Sequence, residues 1–154
     1  SYVIGLAETT YAAVRDIPIT MIVVNNGVFG MTGGQMNLAT TLLGDKTVSS
    51  KAGRKRETMG HPVDMLKSFQ NYDIEFAARG ALYDAKHIDQ TKRFIKHGFE
   101  NQIKTRGFSL IEVLSPCPTN WKLEPVEAME KTRTQVEQVF PVGVYVDRGG
   151  ECNG

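Results

Sequence analysis

Ile19-Thr20-Met21-Ile22-Val23-Val24 runs directly into Asn25-Asn26-Gly27-Val28-Phe29-Gly30-Met31-Thr32-Gly33-Gly34-Gln35. The first six residues form a short, β-branched run and read as a buried strand. A strand that opens into paired amides and a run of glycines is an uncommon transition. In open α/β sheets, ligands bind at the carboxyl ends of the strands. Asparagine offers a neutral amide oxygen that a hard cation such as magnesium accepts. The glycines let backbone N–H groups come close to an anion. The same residues also suit a plain tight turn, because Asn-Gly is a frequent turn signal. The residues alone therefore leave two readings open, a metal–diphosphate cradle and a simple connection.

Working outward, the spacing predicts a helix over residues 4–16, with Ile4, Ala7, Tyr11 and Val14 on one face. Asp16-Ile17-Pro18 ends it, since proline disfavours helix in the residue before it. Residues 35–61 are polar and without periodicity, a length that in a compact domain is usually functional or disordered. Within them the basic cluster at residues 51–56 reads as solvated loop. A short helix is expected over 62–70 with Val63, Leu66 and Phe69 inward, then a strand over 74–78. Residues 89–106 read as a helix with Phe94, Ile95, Phe99 and Ile103 on its apolar face and Gly107 at C′. A strand over 108–114 and a loop over 115–121 follow. Pro125 suits a first helical position, with Val126, Met129, Val136 and Val139 supplying one helix face as far as Phe140.

Alternating helices and strands imply βαβ units: an α/β fold with a mainly parallel sheet and helices on both faces. The Asn25 and Ser115 loops both leave carboxyl ends of strands and so belong on one rim. The expected domain covers residues 1–140, with 141–154 as a C-terminal tail.

The chain has 154 residues, the length of one domain, with a hydrophobic fraction of 41% and a charged fraction of 23%, as in soluble globular proteins. A net charge of +1 gives no reason to expect nucleic acid or an anionic membrane as partner. No apolar run approaches the roughly 20 residues of a membrane span. The start, Ser1-Tyr2-Val3-Ile4, lacks the basic residues of a secretory signal. Cys117 and Cys152 make no disulfide framework, so a cytoplasmic setting is expected. There is no CxxC, HExxH or P-loop, and His61, His87 and His97 form no ligand pattern.

The string from Asn25 to Gln35 resembles the thiamine diphosphate fingerprint of 2-oxoacid:ferredoxin oxidoreductases, in their β subunit. The family reads Asn-Asn-Gly-Val-Tyr-Gly-Met-Thr-Gly-Gly-Gln there, and Phe29 is the main departure. Gly107-Phe108-Ser109-Leu110-Ile111-Glu112-Val113-Leu114-Ser115-Pro116-Cys117-Pro118-Thr119-Asn120-Trp121 is a second likeness. Pro125-Val126-Glu127-Ala128-Met129 and Pro141-Val142-Gly143-Val144 are a third.

The resemblance implies a Rossmann-like thiamine diphosphate-binding fold with Mg2+. Asn26 would give the metal its side-chain oxygen and Val28 its backbone oxygen. Gly30, Met31 and Thr32 would hold the diphosphate, through backbone N–H groups and the Thr32 hydroxyl. The family's further metal ligand is the aspartate of an upstream Gly-Asp-Gly, expected to lie before Ser1, so the chain alone is expected to be inactive. Cys117 corresponds to the last ligand of a [4Fe–4S] cluster, a role open to it only in a longer protein. Asn120 and Trp121 are expected to pack the loop.

The implied reaction is oxidative decarboxylation of a 2-oxoacid, of the 2-oxoglutarate or branched-chain type, to an acyl-CoA with ferredoxin as electron acceptor. The implied partners are an α subunit, γ and δ subunits, ferredoxin, the 2-oxoacid and coenzyme A. No catalytic acid or base is identified in this chain. Two rival readings are another thiamine diphosphate enzyme, such as a non-oxidative 2-oxoacid decarboxylase, and a non-catalytic assembly module.

Overall fold

A computed structural model describes residues 2–149. Helix α1 (Leu6–Val14) leads into strand β1 (Thr20–Asn25). Two short strands, β2 (Val28–Phe29) and β3 (Gln35–Met36), pair antiparallel and fold the glycine-rich string into a hairpin. Helices α2 (Arg56–Met59) and α3 (Met65–Phe69) precede strand β4 (Phe76–Ala81), helix α4 (Ala85–Lys104) and strand β5 (Ser109–Leu114). Then come α5 (Pro118–Trp121), α6 (Pro125–Lys131), a π-helical stretch at Thr132–Val136, α7 (Glu137–Val139) and strand β6 (Gly143–Asp147).

The main sheet has the order β1-β5-β4-β6. β1, β5 and β4 are parallel, with Thr20 and Phe76 both opposite Ser109, and Asn25 and Ala81 both opposite Leu114. The three strands thus end level, and the loops after them share one rim. β6 runs antiparallel to β4. This corrects the expected tail: residues 143–147 close one edge of the sheet, and Tyr145 packs into the core. The β-branched and aromatic run Val144-Tyr145-Val146 is a strand signal in its own right.

Period-two alternation sends the strand residues to two cores. Leu110 and Ala77 face α1 and α3, where Ala13, Leu66 and Phe69 are buried. Ile111, Val113, Phe76 and Ala78 face Phe94 of α4. Helices therefore cover both faces of a mainly parallel sheet, as expected. A third cluster of Leu42, Ala81, Leu114, Val136 and Phe140 sits beneath the rim.

Several expectations about which residues face inward need correction. β1 is an edge strand and only half buried, with Ile22 42% and Val24 61% exposed. In α4 the buried residues are Thr91, Phe94, Gly98 and Asn101, whereas Phe99 and Ile103 face outward. The helix lies too close to the sheet for large side chains there: a Cβ on Gly98 would stand 2.7 Å from Ile111 Cδ1. Likewise Ala128, Thr132 and Val136 are the buried residues of the segment after Pro125, and Val126, Met129 and Val139 are exposed. Val63 too is exposed, though Leu66 and Phe69 are buried. Arg106 takes the left-handed conformation after α4, with φ of 60°, in place of Gly107.

Candidate functional site

Asn25 and Asn26 stand at the carboxyl end of β1 and each makes an Asx turn. Gly27 N donates to Asn25 Oδ1 at 3.1 Å, and Val28 N donates to Asn26 Oδ1 at 3.3 Å. Gly27, with φ of 74°, supplies the left-handed residue that the reversal needs. Thr41 Oγ1 donates to the Gly27 carbonyl and ties the turn to the following segment. Val28 is buried in β2 opposite Met36.

Beyond the hairpin tip, Gly33 N donates to Gly30 O at 3.1 Å and Gly34 N to Phe29 O at 2.9 Å. The N–H groups of Met31 and Thr32 find no acceptor among the described residues. Met31 is fully exposed. The Thr32 hydroxyl is engaged, donating to Gln35 Oε1 at 2.6 Å, while Gln35 Nε2 donates to Thr32 O at 2.7 Å. What the tip offers an anion is therefore main-chain N–H rather than hydroxyl.

The second loop is fastened to the first. Asn120 lies over the glycines: a Cβ on Gly34 would meet Asn120 Oδ1 at 2.6 Å, and one on Gly30 would meet Asn120 Nδ2 at 3.1 Å. Cys117 Sγ accepts from Asn120 Nδ2 at 3.3 Å and lies 3.8 Å from Asn26 Nδ2. The two sequence motifs thus meet at Asn26. Beside them a cavity of about 530 Å3 is bounded by Gly33, Gly34, Lys46, Lys51, Asn120 and Lys122, among others. Its three lysines have no ion pair among the described residues, so this flank of the loop is electropositive.

Below the rim lies a charge network absent from the sequence-based expectations. Glu112 and Arg79 are 1% and 0% exposed. Arg79 donates to Glu112 Oε2 through Nε at 2.9 Å, and its Nη2 lies 2.8 Å from the same oxygen. Arg79 also pairs with Asp64 Oδ1 at 2.5 Å and donates to Pro141 O at 3.1 Å and to the Tyr145 hydroxyl. The other Glu112 oxygen accepts from Asn25 Nδ2 at 2.6 Å, and Tyr2 OH donates to Glu112 Oε2 at 3.4 Å.

Burial pushes the Glu112 carboxyl up, and Arg79 and Asn25 pull against it. Burial also works against the Arg79 cation, but its bond to Asp64 and the Glu112 charge outweigh this and hold its pKa above the ordinary value. Burial and the Glu112 charge push the Tyr2 phenol well up. The signal for this network was in the sequence. A glutamate stands inside Leu110-Ile111-Glu112-Val113-Leu114, and an arginine inside the small, apolar run of β4. Charges placed within buried strands require partners.

The expected ligand set can be tested on this geometry. Amide oxygen, main-chain carbonyl, free N–H groups and a lysine-rich flank suit a magnesium–diphosphate pair; a Cβ on Gly34 would collide with Asn120, and one on Gly30 would crowd it. Among the described residues no three His, Cys, Asp or Glu side chains gather as a metal site. Cys117 has no second thiol beside it, and Cys152 lies outside the described residues. The described residues by themselves therefore do not fit an iron–sulfur cluster. No helix among the described residues is long and apolar enough to cross a membrane.

Residues 1–113 match the family model "Thiamine pyrophosphate enzyme, C-terminal TPP binding domain". The chain is 40% identical over 149 residues to the ketoisovalerate oxidoreductase subunit VorA of Methanothermobacter marburgensis, covering 96% of this chain and 31% of that protein. It is 33% identical over 127 residues to the 2-oxoglutarate synthase subunit KorB of Archaeoglobus fulgidus, covering 82% and 43%. Among solved structures, the 2-oxoglutarate:ferredoxin oxidoreductase of Magnetococcus marinus, with 2-oxoglutarate, coenzyme A and succinyl-CoA bound, superposes with a TM-score of 0.66. At 17% identity, over 96% of this chain and 53% of that one, this likeness concerns the fold. The chain spans about a third to two fifths of the length of these curated relatives.

Proposed function

Because the chain belongs to the thiamine pyrophosphate enzyme family through its C-terminal, TPP-binding domain, we propose that it is the cofactor-holding portion of a 2-oxoacid:ferredoxin oxidoreductase β subunit. The observation that carries this reading is the rim loop. Asn26 and Val28 turn at the end of β1, and the N–H groups of Met31 and Thr32 stay free beside them. Asn26 Oδ1 and the Val28 carbonyl would hold Mg2+. Gly30, Met31 and Thr32 would hold the diphosphate through their main-chain N–H groups. Glycines 30 and 34 keep side chains out of the cradle, and Asn120 fixes its back wall.

Thiamine diphosphate, when bound, supplies the carbanion that decarboxylation of a 2-oxoacid requires. The chain's own part is to bind, neutralise and orient the diphosphate end, with Lys46, Lys51 and Lys122 adding positive charge on one flank. The similar proteins named as ketoisovalerate and 2-oxoglutarate enzymes support a branched-chain 2-oxoacid or 2-oxoglutarate as substrate. Their names as subunits support assembly with other subunits, which we take to be an α subunit with γ and δ subunits. Coenzyme A as acyl acceptor and ferredoxin as electron acceptor complete the proposed reaction. Any cluster would need thiols from outside this chain, and no step here is assigned to Cys117. Domain limits of 1–140 widen to include β6.

The test is calorimetric titration of thiamine diphosphate in the presence of magnesium. Asn26→Ala should weaken binding by roughly tenfold or more, the loss of one direct contact in a charged site. Equal affinity in wild type and variant would remove Asn26 as a ligand. Absence of binding to the wild type within the intact complex would favour the assembly-module reading instead.

A further inference from the structure

Asn25, the first of the paired amides, is not a proposed ligand, yet it is 4% exposed and makes the shortest hydrogen bond to Glu112. A carboxylate has no proton to donate, so Glu112 can only accept. Asn25 must therefore turn its NH2 toward Glu112 and its Oδ1 the other way, where it accepts from Gly27 N at 3.1 Å. The direction of one buried hydrogen bond thus selects the amide orientation that closes the turn. That turn sets where Asn26 and Val28 stand. The carboxylate itself is oriented by Arg79, which takes its second oxygen.

We propose that Glu112 is a positioning residue for the cofactor loop: its buried carboxylate holds Asn25 in the orientation that closes the Gly27 turn and presents Asn26 and Val28. The assignment of Asn26 and Val28 as metal ligands rests on the function proposed above. The hold of Glu112 on the turn does not depend on it.

Glu112→Gln tests the directionality at nearly constant volume. A glutamine has one acceptor oxygen, and the charged Arg79 claims it. The new NH2 then faces Asn25, which rotates to offer its oxygen. Its own NH2 is left against the Gly27 N–H, donor against donor. The double variant N25D/E112Q reverses the polarity. The carboxylate now sits at position 25 and accepts from both the new side-chain amide at position 112 and Gly27 N, with the same total charge as wild type. Asn25→Ala removes the bridge while leaving the Arg79–Glu112 pair intact.

The readouts are amide exchange at Gly27, circular dichroism melting, and calorimetric affinity for magnesium with thiamine diphosphate. Gly27 exchange should rise about tenfold or more in Glu112→Gln and in Asn25→Ala. It should return to near the wild-type rate in N25D/E112Q. Affinity should follow the same order even where melting temperatures do not. If Glu112→Gln does not fold, Asn25→Ala and the double variant still decide the matter. Unchanged Gly27 exchange in Asn25→Ala, or no recovery in the folded double variant, would overturn the proposal. If exchange follows the expected order but wild type binds no cofactor, the positioning stands and the cofactor reading falls.

Discussion

Arg54 lies in a segment whose composition predicts solvated loop, yet it is 3% exposed. Its guanidinium donates to the carbonyls of Leu38, Thr41, Met59, Gly60 and His61 at 2.6–3.2 Å. One planar fork gathers two stretches of chain that have almost no regular structure of their own. Burial lowers its pKa, but these carbonyls keep the cation solvated by protein. Lysine carries a single charged nitrogen and cannot span the same set. Arg54→Lys should therefore cost about 2–4 kcal/mol in denaturant unfolding, several charge-assisted bonds being lost at once. An unchanged midpoint would mean that the loop is ordered by other contacts. At this scale legibility is uneven. The Asn25–Gln35 loop can be read because its chemistry sits in one contiguous string. Arg54, Glu112 and Arg79 act through partners on other segments, Glu112 with one 110 positions away; a charge inside an apolar strand says that a partner is needed, but no local pattern says which.

Elements are more legible in the sequence than their orientations. Strands and helices fall close to where β-branched runs, proline and apolar spacing put them, and βαβ alternation gives the parallel sheet. The inward face of α4 departs from the apolar pattern for one physical reason. Where a helix comes very close to a sheet, the contact is made by small residues, and these carry little hydrophobic signal. Gly98 against Ile111 is the clearest instance, and Thr91 reaches the Ala81 carbonyl at 3.1 Å in the same way. Phe99 and Ile103 keep the helical period but point outward, 49% and 80% exposed. Two substitutions separate these roles. Gly98→Val should destabilise by about 1–3 kcal/mol through overpacking. Ile103→Lys should stay within about 0.5 kcal/mol of wild type, as an exposed change does. The reverse ranking in thermal unfolding would show that α4 presents the face its apolar pattern suggests.

Across the whole molecule, Arg79 links parts that are distant in sequence. It joins β4 to Glu112 on β5, to Asp64 at the start of α3, and to Pro141 and Tyr145 around β6. Through Glu112 the same network reaches Asn25 at the end of β1. The sheet is thus bridged by charge beneath the rim that carries the proposed site. Breaking a buried pair leaves its partner charged and alone, so Arg79→Met should cost about 3–5 kcal/mol at neutral pH. The pH dependence gives a sharper check. Burial already pushes the Glu112 carboxyl above its unfolded value, and Arg79 opposes that shift. Removing Arg79 removes the opposition, so the folded variant binds a proton on Glu112 more tightly than the unfolded chain does. A group raised in this way contributes stability that is fully present below its unfolded pKa and is lost as pH rises through the folded one. The gap between wild type and Arg79→Met should accordingly be smallest in mild acid and widen toward neutrality. Denaturant titrations at stepped pH would measure it. A gap that stayed constant with pH would mean that Glu112 is not the charge Arg79 neutralises.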